Sequence, residues 1–423
     1  MKRILTLALL LSLLVGFDSC SESNDNLPEN PTDQTDPDED KNGGDEDDPN
    51  DDTNDDPNGG DEDDPNGGDE DDPNGGDEDD FGINTEEMFP DPVFRAYVLN
   101  NFDTDKDGKI SKSEALAVML INVSKTDTTP DNEKIKTLEG IQYFTNLSSL
   151  SCSTNNLTSL DLSKNTMLTG LYCYENQLTS LDLSQNNMLT WVDCYANQLT
   201  SLDLSHLTAL LHLYCYRNQL TTLDLSNSPA LFECSCTMNQ IKSLTTNNPA
   251  LQALICTGNQ LTTLDLSKDT ALIHLSCTNN QLTTLDLSQN TALTVLGCNE
   301  NQLTTLDLSQ NKALNNLNCS SNQLTTLNVS QNISLESLYC QSNQLTTLDV
   351  SQNSKLRTLD CSYNLLTSLD ISNTNMDGST NFYCNDNPLE KLYLKTGWSF
   401  INGVIPSRNI YHVPEQTEII FVD

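Results

Sequence analysis

The sequence is poor in the residues that build most catalytic and nucleic-acid-binding sites. It has four histidines (His206, His212, His274 and His412) and two tryptophans. Lys and Arg number 20 against 62 Asp and Glu, for a formal net charge of -42. Such a chain repels phosphate backbones, so nucleic acid is excluded as a partner. It has no G-x-S-x-G, H-E-x-x-H, phosphate-loop or dinucleotide fingerprint, which argues against an enzyme. His212 and His274 share a register position but lie three repeats apart, about 14 Å at normal strand spacing, too far to share a metal. No C-x-x-C pair suggests a zinc site. No apolar run reaches the roughly 18 residues of a membrane span.

The charge is uneven. Residues 21–88 hold 30 Asp and Glu against one lysine, Lys41. From Gly43 the chain repeats GGDEDDPN, with one degenerate copy. The unit has nothing apolar to bury, carries dense like charge and contains Pro and Gly, so an extended disordered tether is expected over 20–85. A calcium-binding repeat is the rival reading, but no known register fits.

Ahead of it, Lys2 and Arg3 precede an apolar run from Ile4 to Val15, the pattern of an export signal over 1–19. Cleavage before Cys20 would make that thiol a lipid attachment point, and this resembles a bacterial lipoprotein signal. Phe17 and Asp18 depart from the usual small or aliphatic pair, and the alternative is an ordinary secreted protein. The lipid would be the sole membrane contact. The expected location is the outer membrane. The acidic start "SESNDN" favours the cell surface over a periplasm-facing orientation.

Residues 86–120 predict a small helical cap around a calcium loop at 103–114. Asp103, Asp105 and Asp107 stand at loop positions 1, 3 and 5, and Gly108 makes the turn at 6. Lys109 offers its carbonyl at 7, Ser111 stands at 9, and Glu114 is the bidentate ligand at 12. Flanking helices are expected from Pro92 to Asn101 and from Glu114 to about Leu120. A lone loop of this kind, with Ca2+ as its cofactor, suggests a structural clip rather than a sensor.

Twelve cysteines, from Cys152 to Cys384, recur every 21 residues, except for steps of 20 and 23. Asn follows three residues after each, and Leu, or once Ile241, five after. Such self-similarity means a solenoid. The unit L-x-x-L-x-C-x-x-N-x-L, then T-x-L-D-L-S-x-N, resembles the leucine-rich repeat, and the 21-residue form with a strand cysteine looks most like the internalin family. The resemblance implies a mainly β solenoid with a curved parallel sheet on its concave face over 121–394, and a C-terminal cap over 395–423. Each cysteine takes an inward position and is expected to be a small buried hydrophobe rather than a disulfide, metal ligand or nucleophile. The Asn row is expected to satisfy backbone groups of the turns. At the 20-residue step, Thr245–Leu251 predicts a local irregularity.

On the outward positions most residues are small and polar, but three neighbouring strands differ. Tyr172 and Tyr174 flank Cys173, Asp193 and Tyr195 flank Cys194, and Tyr214 and Tyr216 flank Cys215. Trp191 and His212 lie three residues before their cysteines, Glu175 and Arg217 two after. Exposed aromatics at this density predict a ligand patch; the competing explanation is β-propensity, since Tyr is favoured on strands anyway, with neighbouring rings stacking on each other. Tyr339, Tyr363 and Tyr383 form a thinner second set. The resulting expectation is a monomeric surface lipoprotein binding a protein or glycoprotein, adhesin- or receptor-like. The alternative is a glycan-capture lipoprotein for nutrient uptake.

Overall fold

The computed structural model describes residues 79–376, 381–397, 410, 411, 413 and 417–423. The export signal, Cys20 and nearly all of the acidic repeat therefore lie outside the described residues. Three short helices open the described chain: α1 (Thr85–Met88), α2 (Pro92–Phe102) and α3 (Lys112–Ala117). Local chemistry sets their starts. Asn84 accepts from Glu87 N–H ahead of α1. Asp91 accepts from Val93 and Phe94 N–H ahead of α2, with Pro92 in the first turn where its missing N–H is harmless. Ser111 and Glu114 form a reciprocal capping box on α3.

The cap shares one core with the solenoid. Met88, Phe89, Phe94, Val98, Ile110 and Ala115 are buried in the same cluster as the repeat leucines. Asp91 also accepts from Lys136 N–H at 2.8 Å, tying α2 to the first turn. Gly140 is left-handed, with φ of 103°, and a Cβ there would collide with the Phe89 ring, so only glycine fits.

Fourteen short strands form one parallel sheet. The first, Leu120–Asn122, pairs with Ser149–Ser151, and each later strand adds in register, so that the inward central residues (Ile121, Leu150, Leu171, Val192 and Leu213 in the first five) stand opposite one another. Ile410–Tyr411 closes the far edge beside Phe382–Tyr383. Two smaller parallel sheets lie outside this ladder. One pairs Thr222–Asp224 with Ser243–Thr245, and the other joins Ser368–Asp370, Lys391–Lys395 and Glu418–Val422.

Inside the sheet, the strand leucine and the cysteine that follows it are both buried. All thirteen described cysteines are free and buried. Burial pushes the thiols of Cys152, Cys277, Cys319 and Cys384 up to about 12, so none is a ready nucleophile. The neighbouring Cys236 and burial push the Cys234 thiol up as well.

Two rows of buried asparagine join the turns. In the first, the Asn176 amide donates to the carbonyls of Cys152 and Cys173, both at 3.1 Å, while its oxygen accepts from Leu157 N–H at 3.0 Å. The same trio recurs down the ladder, for instance at Asn301. In the second row, Asn186 donates to the carbonyls of Leu162 and Asn165. Around the 20-residue step the first row continues, while in the second Leu207, Ser228 and Asp269 stand at asparagine places on either side of Asn248. Asn248 still donates to Leu225 and Ser228, and Asn259 still accepts from Ile241 N–H. The missing residue is absorbed in the outer loop, where the extra Thr222–Asp224 pairing forms.

Asn301→Ala is expected to lower stability by about 2–4 kcal/mol, because it leaves buried backbone groups unpaired. Gln302→Ala, on the exposed neighbour, should stay within about 0.5 kcal/mol. Denaturant unfolding of the two variants checks this. In thiol titration of the native protein, the solenoid cysteines should be silent, and all should react on unfolding.

Candidate functional site

Three parallel rows of outward side chains cross the sheet, set by the strand register. The first runs Gly170, Trp191, His212, Glu233, Ala253, His274. The second runs Ser151, Tyr172, Asp193, Tyr214, Ser235. The third follows the cysteines with Tyr174, Tyr195 and Tyr216. The ten patch residues of the sequence analysis are thus brought together, with one exception in kind. Glu175 and Arg217 sit not on strands but in left-handed turns, with φ of 54° at both. That position is left-handed in every cysteine repeat and is glycine only at Gly258.

The aromatics are less exposed than the sequence suggests. Tyr214 is buried, and Tyr172, Tyr174, Trp191, Tyr195 and Tyr216 are half-buried. They cover one another. Tyr174, Tyr195 and Tyr216 form a near-parallel stack, with centroids 4.5 and 4.3 Å apart and planes within 7°. Trp191 lies 4.3 Å from the His212 ring, 5.5 Å from Tyr214 and 6.1 Å from Tyr172. The Tyr172 ring lies over Gly170, 3.4 Å from where a Cβ would stand, an ordinary van der Waals distance. The second set is sparser, and only Tyr363 is well exposed.

Asp193 is the short residue in the middle. One of its carboxylate oxygens, Oδ1, is buried without a hydrogen-bond partner, as are Trp191 Nε1 and His212 Nδ1. Burial pushes the Asp193 carboxyl up to about 7; the Tyr195 N–H bond works against this, and the Glu175 charge adds to it. Beside it, burial and then the Glu233 charge push the Tyr214 phenol up. Glu233 is only 4% exposed, and its carboxylate lies 3.7 Å from His212 Nδ1. Burial lowers the pKa of His274, while the same Glu233 raises it. The sequence reading missed Glu233. Its signal was its place one register step from His212.

The loop 103–114 is the second candidate. Carboxylate oxygens of Asp103, Asp105 and Glu114 lie within 4.8 Å of one another. Asp103 turns one oxygen to Gly108 N–H at 3.0 Å and leaves the other, Oδ1, buried and unpaired. Lys106 and Gly108 supply the left-handed turns, with φ of 64° and 82°. Asp107 lies outside the close trio and accepts from Lys109 N–H, while the Ser111 hydroxyl bonds Glu114. Burial works to raise the Glu114 pKa, but donors on Ser111 and Thr104 outweigh it and hold the carboxyl down to about 2. Asp79 and Asp80, from the last acidic repeat, pack here: Ser113 N–H donates to Asp79, and Lys109 pairs with Asp80 at 3.4 Å. Phe81 packs on Tyr143, with centroids 4.7 Å apart.

Asp193 gives the patch a pH signature. Its folded pKa stands above its unfolded value, so the folded state holds the extra proton. Its favourable contribution is full below the unfolded pKa, near 4, and is lost as pH rises through about 7. Asp193→Asn is therefore expected to raise the melting temperature at pH 8 and to change it little near pH 4.

Neither a family model nor a curated protein matches the chain. Solved structures do. The functional domain of InlJ from Listeria monocytogenes, which includes a cysteine ladder, is 31% identical, with 74% of this chain and 75% of that one covered and a TM-score of 0.59. An internalin, inlF, from Listeria monocytogenes is 22% identical over 79% and 96%, with a TM-score of 0.61. The leucine-rich repeat domain of APL1B is 23% identical over 60% and 83%, with a TM-score of 0.52. The last two share the fold. With its 21-residue turns and its ladder of buried cysteines, this chain belongs to the internalin family of leucine-rich repeat proteins, in its cysteine-ladder form.

Proposed function

We propose that this protein is a cell-surface receptor or adhesin that grips a protein or glycoprotein on the concave sheet, at the strands Gly170–Tyr172, Trp191–Asp193 and His212–Tyr214. A leucine-rich repeat solenoid is a protein-interaction scaffold, and here one stretch of its open face differs from the rest. The observation that carries the reading is the concentration of large amphipathic side chains around unpaired polar atoms there, against Ser, Thr, Asn and Gly on most other strands. Tyr and Trp dominate binding hot spots because they bring large contact area with few torsions to freeze. The export signal and Cys20 support placement at the outer face of a membrane by a lipid. No helix among the described residues is long and apolar enough to cross one.

In the same reading the loop 103–114 holds Ca2+ as a clip on the cap. Asp103, Asp105 and Glu114 would supply the first carboxylates. Asp107, the Lys109 carbonyl and Ser111 complete the set by loop position. The unpaired Asp103 oxygen and the mutual repulsion of the trio are what a hard cation would relieve.

Two outcomes are expected. A binding panel of mucins, matrix proteins and glycans should give a hit that is lost in the folded Tyr174→Ser, Trp191→Ser, Tyr216→Ser variant. A hit retained by that variant would move the site elsewhere. Millimolar calcium should raise the melting temperature by several degrees, with no effect in Glu114→Gln; an identical melt in calcium and in EGTA would remove the clip.

A further inference from the structure

The acidic repeat does not stop where the domain begins. Its last copy ends in Asp79 and Asp80, and both lie against the loop 103–114. Each earlier full copy reads DEDDPN, whereas the last reads DEDDFG, so Phe81 and Gly82 stand where the others have Pro and Asn. Those two residues turn the chain onto the cap. The Phe81 ring packs on Tyr143, with centroids 4.7 Å apart. Gly82 is left-handed, with φ of 70°, and its N–H donates to the Asp80 carboxylate at 3.0 Å.

The segment 79–85 is bonded to the second half of the loop along its length. The Thr85 hydroxyl donates to the Gly108 carbonyl at 3.0 Å. Lys109 pairs with Asp80 at 3.4 Å. Lys112 N–H donates to the Asp79 carbonyl at 2.8 Å. Ser113 gives the Asp79 carboxylate both its N–H, at 2.9 Å, and its hydroxyl, at 2.5 Å. Lys112 and Ser113 open α3, where backbone N–H groups have no acceptor within the helix and must find one outside it. That helix carries Glu114, the acid expected to take calcium with both oxygens. Asp80 meanwhile offsets the ammonium of Lys109, whose carbonyl stands at loop position 7. A cation beside the loop repels a calcium ion, and repels it less when paired.

Resting on the calcium reading above, we propose that Asp79–Phe81 is a strap that prepares the loop 103–114 for calcium. Asp79 holds the turn that carries Glu114, Asp80 offsets Lys109, and Phe81 selects this copy of the repeat for the task. All three are positioning residues: they act through Ser113, Lys109 and Tyr143 and supply no ligand. Calcium and the docked strap favour the same arrangement, so each strengthens the other. Residues 1–78 join the domain through the strap, so calcium also fixes their point of attachment.

The test is calorimetric calcium titration of the full-length protein at physiological salt, with Glu114→Gln as the blank for calcium held by the acidic repeats alone. Asp79→Ala and Phe81→Ser are each expected to weaken calcium binding by about threefold or more. Asp63→Ala removes the same charge from the matching place of an earlier copy, and should stay within about 1.5-fold. Hydrogen–deuterium exchange at Lys112 and Ser113 gives a second readout. Calcium should slow it in the parent, and much less in Asp79→Ala and Phe81→Ser. Exchange along the cysteine turns should be the same in every variant, which separates a released strap from a failed fold.

Equal losses in Asp79→Ala and Asp63→Ala, parent-like affinity in both strap variants, or equal slowing of exchange in parent and variants would overturn the strap and leave the calcium loop standing. A parent that gives no more heat than Glu114→Gln would overturn the calcium reading and the proposal with it.

Discussion

The rest of the structure depends on the side-chain amide that bridges consecutive turns. A solenoid with three-residue strands has little regular backbone pairing, and each turn leaves buried carbonyls and N–H groups to be met. One asparagine per turn meets them. Its amide reaches a carbonyl of its own turn and one of the turn before, and its oxygen takes an N–H from the earlier turn. The bond pattern crosses the joint between repeats, so it sets the register as well as the turn. It also forces the left-handed residue just before it, which the chain tolerates as Thr, Glu, Ala, Arg or Met. The cysteine fits the same constraint: a small, apolar residue beneath a crowded turn, whose carbonyl is the acceptor that the asparagine needs.

With inner positions fixed by those bonds, the outward rows are the ones free to vary. The nine cysteine turns outside the patch carry mostly small polar residues there. The three that carry Trp, Tyr, His and Asp, with the strand that follows them, depart from the regular pattern in identifiable ways: a carboxylate with an unpaired oxygen at Asp193 and a glutamate nearly closed from solvent at Glu233. Those are local conflicts that a purely structural sheet would lose by drift. They lie together on adjacent strands.

Much of the fold was legible because one cysteine and one asparagine mark each turn. What the pattern did not mark was missed. The first turn carries Val123 in the cysteine place, with its carbonyl accepting from Asn155 as a cysteine carbonyl would. Its long excursion to Ser149 includes two short 3-10 turns, at Asp131–Glu133 and Ile141–Tyr143. The entering helix, read as Pro92–Asn101, runs Pro92–Phe102. The leaving one, read from Glu114, starts at Lys112 because Ser111 serves as its cap rather than only as a loop position. Asp79 and Asp80 read as tether because their composition matches the repeat; composition says nothing of their bonds to Ser113 and Lys109. At the patch, the residues were legible from their period and their exposure was not. Whether neighbouring tyrosines face solvent or each other depends on side-chain torsions that no spacing rule reaches.

Hydrogen–deuterium exchange with and without a ligand from the binding panel tests the central claim most directly. If the concave patch is the site, added protection falls on residues 170–176, 191–197 and 212–218, with a lesser effect at Glu233, and the cap and the outer aspartate row stay unchanged. Protection spread along the aspartate row from Asp161 to Asp370, or confined to the cap, would contradict it.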